Sequence, residues 1–204
     1  MRDEDFGYFI SVMGEATSHR QAPDSHLAKY RGVLPDVLLG YWQQEGWCGY
    51  ANGLFWTVDP DDYKHLLDMW LADTVFPQID NYHVIARSAF RTLYAWGEKY
   101  NQKIVVSCPT GSFVALMSKL KAPSNNPDLA IQTFFAMSDK ERFDLEDGQG
   151  EFLFERALAK LGPLDESELY GFEPALFVGG TASLEHLVKC NLDVHLTVLS
   201  RMRS

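Results

Sequence analysis

"YHVIARSAFRTLYAWGEKYNQKIVVSCPTGSFVALM", Tyr82 to Met117, decides the fold of this chain. It holds four short runs rich in β-branched and aromatic residues: "YHVIARSAF", "RTLYAWGEK", "KIVVSC" and "SFVALMS". Turn-forming clusters separate them at Phe90-Arg91, Tyr100-Asn101-Gln102 and Pro109-Thr110-Gly111. Spacers this short make hairpins, so the stretch reads as an antiparallel meander.

Upstream, apolar residues fall at helical spacing. Residues 3–14 carry Phe6, Phe9, Ile10 and Met13 on one face, behind an acidic first turn. "LAKYRG" reads as a short helix, "LPDVLLGYWQQEG" as a longer one closed by Gly46, and "DPDDYKHLLDMWLADT" as a third. Between the last two, "WCGYANGLFWTVDP" places Asn52-Gly53 between apolar runs, the signature of a hairpin. Downstream of the meander, "KLKAPSNNP" marks a boundary between domains at 1–121 and 127–204. Beyond it "NPDLAIQTFFAMS", "GQGEFLFERALAKLG", "SLEHLVKC" and "DVHLTVLSRM" read as helices. The expected class is α+β: an antiparallel β-meander flanked by helices, with a mostly helical C-terminal half.

The composition, 46% hydrophobic and 13% aromatic over 204 residues, is that of a globular protein with a substantial core. The start of the sequence is acidic and lacks the apolar stretch of a signal peptide, and no run approaches membrane-span length. Cys48, Cys108 and Cys190 are scattered and odd in number, which fits a reducing cytoplasm better than a disulfide framework. The net charge of −10 disfavours direct contact with nucleic acid. That charge is concentrated: residues 139–173 hold eleven acids against four bases. Such a face either solvates the protein or attracts a basic partner.

Catalytic signatures are sparse. The six histidines show neither H-E-x-x-H nor H-x-H spacing. His65 lies near Asp59, Asp61, Asp62 and Asp68, which reads as a solvated acidic helix end more readily than as a metal site. His186, Cys190 and His195 lack the spacing of a zinc site. Cys108 in "SCPTG" has no evident base, and a small buried residue is the better reading. The run Pro174 to Val178 reads as strand-like and leads into Gly179-Gly180-Thr181. No basic residue follows before Lys189 and dense negative charge precedes the pair, so a structural turn is favoured over a phosphate cradle. No cofactor, metal or catalytic residue is assigned.

Two stretches resemble known families. "LPDVLLGYWQQEGWCGYANGLFWTVDPDDYKHLLDMWL" resembles the GAD-like domain of bacterial proteins. "LFERALAKLGPLDESELYGFEPALFVGGTASLEHLVKCNLDVHLTVLS" resembles the small domain of immunity proteins paired with type VI secretion DNase effectors, including partners of GHH-family toxins. "LGPL", "YGFEPAL", "GG" and "HL" stand at the family's positions. Relatives tend to have Gly after the Phe of "SAF", where this chain has Arg91. The resemblance implies a cytoplasmic, non-enzymatic protein that binds and neutralises a cognate nuclease toxin. A nuclease cleft is basic, so the expected contacts are Asp144, Glu146, Asp147 and Glu151, with Tyr50 and Asn52 at the tip of the aromatic hairpin. The alternatives are an inhibitor of toxin folding or assembly, a hydrolase or metal-binding enzyme built on Cys108 or the Asp59–His65 cluster, and a tRNA-metabolism adaptor.

Overall fold

The structure, a computed structural model, describes residues 2–203. Three helices lead the chain: α1 (Glu4–Met13), α2 (Asp24–Tyr30) and α3 (Asp36–Glu45), with a short strand, β1 (Ser18–Arg20), after α1. There follow β2 (Trp47–Tyr50), β3 (Phe55–Thr57), α4 (Pro60–Leu71), and the four strands β4 (Tyr82–Ser88), β5 (Thr92–Gly97), β6 (Lys103–Ser107) and β7 (Ser112–Ala115). After them come α5 (Pro127–Ala136), α6 (Lys140–Phe143), α7 (Phe154–Leu161), β8 (Glu168–Phe172), β9 (Leu187–Asn191) and α8 (Leu192–Met202).

Strands β1 to β7 form one sheet in chain order, each antiparallel to the next. The meander read from Tyr82–Met117 is its β4–β7 half. Its middle strands are buried on both faces, because helices cover both sides. On one face Tyr94 meets Phe134 of α5 and Phe143 of α6, each at 5.5 Å between ring centroids, and Phe55 stacks on Phe143 at 4.4 Å. Phe9 of α1 closes against Phe135 of α5 at 5.2 Å. The other face carries α4, whose start is set by Asp59: its carboxylate accepts the Asp61 N–H at 3.0 Å, and Pro60 opens the first turn. Leu66 and Trp70 of α4 are fully buried, and the Trp70 indole donates to the Leu196 carbonyl of α8 at 3.2 Å.

The β2–β3 hairpin turns through Ala51–Leu54, not through Asn52-Gly53 alone, with Asn52 at φ 58° and Gly53 at φ 92°. At the β4–β5 turn Arg91 adopts φ 69°, so the tight turn forms without the glycine that relatives tend to carry there.

The C-terminal half is only partly helical. "SLEHLVKC" ends in a strand: β9 pairs antiparallel with β8, from Glu168↔Asn191 to Phe172↔Leu187. Its exposure alternates along the chain, the period of a half-covered strand and not of a helix. The expected strand Pro174–Val178 is instead a single 3₁₀ turn, Leu176–Val178, and the real strand lies just before it in "ELYGF". The β8–β9 pair docks on the β4–β5 turn, where the Tyr170 N–H donates to the Ala89 carbonyl at 3.0 Å.

Candidate protein-interaction surface

The acidic segment is a built loop. Asp139 caps α6 by accepting the Arg142 N–H at 2.7 Å. Asp144 accepts the N–H groups of Leu145 (2.7 Å) and Phe154 (2.9 Å), tying the loop to the first turn of α7, and burial raises its pKa. Glu146 and Phe152 form an antiparallel bridge, and the chain between them turns around Asp147. The Asp147 carboxylate accepts the Gln149 and Glu151 N–H groups (2.9 and 3.1 Å) and the Arg156 guanidinium (2.6 Å), which holds its pKa below the usual carboxylate value.

The four expected contact acids therefore divide in two. Asp144 and Asp147 are committed to shaping the loop, while Glu146 and Glu151 are exposed at its outer edge, with Phe152 partly exposed beside them. Glu151 keeps only a loose contact with Arg156, at 3.6 Å.

The second expected patch does not form as expected. Tyr50 is not at a hairpin tip but fully buried, edge-on to Phe9 at 4.9 Å between centroids. The rings of "GYANGLFW" pack inward because both faces of the sheet are covered. Asn52 is exposed, and its left-handed backbone serves the turn.

The carboxylates around α4 are largely paired. Arg20 meets Asp62, Lys29 and the Tyr30 hydroxyl meet Asp61, and His65 meets Asp193 on α8. His65 thus lies apart from the Asp59–Asp61–Asp62 group, in keeping with the solvated helix end favoured over a metal site. His26, which sequence spacing did not connect to Asp59, brings its Nδ1 to 2.8 Å from the Asp59 carboxylate and 3.8 Å from that of Asp61. Lys29 already forms an ion pair with Asp61.

Cys108 is fully buried, and burial pushes its thiol pKa up strongly, as befits a packing residue. His195 and Cys190 both pack against Gly171, beside the buried Arg91, whose Nη1 donates to His195 Nε2 at 2.7 Å. Burial and this cation press the His195 pKa down to about 4, and burial lowers that of Arg91 to about 10. A fixed cation at that spot opposes metal binding. His186 is elsewhere, bonded to Ser183 at 2.8 Å.

Known proteins place this architecture. Residues 4–110 match the family model of the GAD-like domain, and the chain belongs to that family. Residues 128–203 match the model described as T6SS immunity protein Tdi1, C-terminal, so the two segments stand in the order read from the sequence. A crystal structure of Atu4351 from Agrobacterium tumefaciens is similar, with a TM-score of 0.84 at 20% identity over 96% of this chain and 88% of that one. At that identity the likeness concerns the fold. No curated protein matches the chain. Among the described residues, no helix is long and apolar enough to cross a membrane.

Proposed function

We propose that the protein is an immunity protein of type VI secretion that binds a nuclease toxin and covers its basic active-site region. The observation that carries the reading is the match of residues 128–203 to the C-terminal domain of a T6SS immunity protein. The charge supports the mode of action. A nuclease must hold a polyanion, and this protein carries −10, with an ordered acidic loop offering Glu146 and Glu151 to solvent. Those carboxylates steer the encounter, and buried contacts elsewhere in the interface set the tightness. The protein acts by binding; its nucleophile candidate Cys108 is sealed in the core. The test is a DNA-cleavage assay with the toxin produced alongside this protein: one equivalent abolishes cleavage under the proposal, and unaltered cleavage refutes it.

A further inference from the structure

A cavity of about 200 Å³ lies on the seam between the two family-matched segments. Trp47, Trp56, Tyr63 and Arg87 line it from one side, and Ser167 and Leu192 from the other. Arg87 is only 1% exposed, its guanidinium 4.7 Å from the centre of the Trp56 ring. Nη2 donates to the Glu166 and Asp165 carbonyls at 3.1 and 3.4 Å, and the Tyr63 hydroxyl lies beside the group. Apart from the Tyr63 hydroxyl, Nε and Nη1 have no acceptor among the described residues, and no carboxylate there pairs with Arg87. One more buried donor of a lining residue, Trp47 Nε1, also lacks a hydrogen bond, while Arg20 Nε faces the Glu166 carboxylate at 3.5 Å.

The wall thus has a surplus of N–H donors, and each unmatched one is destabilising until an acceptor arrives. The rim has the opposite character. Asp62, Glu166 and Asp193 also line the cavity, and their side chains are 49%, 58% and 57% exposed. Arg20 spans Asp62 and Glu166, leaving that pair with more negative than positive charge, and among the described residues Asp193 pairs with His65 alone.

We infer that this seam cavity binds a small zwitterion of the amino-acid class. Its carboxylate meets Arg87 at the floor, its ammonium meets the acidic rim, and an apolar side chain lies against Trp47, Trp56 and Leu192. An anion without an amine is repelled at the rim, and a cation without a carboxylate leaves the donors unmatched. The volume, below the roughly 300–1,000 Å³ of drug-sized sites, selects a compact molecule.

The test is calorimetric titration of the intact protein with free valine, leucine and phenylalanine, each beside its C-terminal amide and its N-acetyl derivative. Tryptophan fluorescence follows the same titrations, since two indoles line the site. At least one free amino acid is expected to bind saturably, with both blocked forms at least about tenfold weaker. Arg87→Gln should abolish binding. Should that variant fail to fold, Asp193→Asn at the exposed rim leaves the core intact and should weaken binding severalfold. Absence of saturable binding across the panel, or a blocked form binding as tightly as its free parent, overturns the inference.

Discussion

At Gly180 the chain passes so close to the preceding turn that a Cβ would run into the Pro174 carbonyl, while the Gly180 N–H donates to Ala175 at 3.0 Å. Gly179 differs: it sits at φ 95° with nothing near a would-be Cβ. Gly179→Ala should therefore cost about 1 kcal/mol of backbone strain. Gly180→Ala must move backbone and should cost more, ~2 kcal/mol or above. Chemical denaturation of the two variants checks the order, and equal losses would contradict it. A pH effect belongs to the same scale. His195 is held neutral in the fold, with its pKa down from 6.5 to about 4. The unfolded chain takes up that proton first as pH falls, so stability present above pH 6.5 should be lost progressively down to about pH 4. Allowing for partial exposure, the loss is on the order of 1–2 kcal/mol. Denaturation midpoints measured across that range should fall for the native protein and fall less for His195→Asn.

Among elements, the acidic loop between α6 and α7 carries the functional argument. Reversing Glu146 and Glu151 to Lys should slow association with the toxin about tenfold at low salt, with the difference shrinking as ionic strength rises. Dissociation should change less. Stopped-flow mixing measures both, and an association rate unchanged at low salt would remove this loop from the encounter. Asp147→Asn tests something else: it loosens the turn and should lower stability. From the sequence, all four acids looked alike, because charge counting cannot see which carboxylates accept backbone N–H groups. The meander was legible, since its β-branched runs and turn residues agree locally. The β8–β9 pair was not, because its two strands are five residues each and find each other across fourteen residues of turn and loop. Tyr50 shows the same limit: an Asn-Gly turn announces a hairpin, but only the helices packed on the sheet decide that its rings face inward.

On the scale of the whole molecule, an antiparallel sheet with helices on both faces holds the β8–β9 pair against its β4–β5 turn. Arg91 sits at that junction in a left-handed backbone conformation, its guanidinium on His195 and 5.7 Å from the centre of the Phe172 ring. No local sequence signal marked it beyond the absence of an expected glycine. The seam cavity was equally silent in the sequence, because its lining residues come from seven separate segments of the chain. The family order and the net charge, by contrast, could be read directly, and the proposed function rests on them: a nuclease silenced by a cover over its DNA-binding cleft. The most direct measurement is cleavage of duplex DNA by the folded toxin, titrated with this protein at several DNA concentrations. Cleavage is expected to stop near one equivalent, with excess DNA competing against inhibition. A stable complex that still cuts DNA, or inhibition indifferent to DNA concentration, would contradict this expectation.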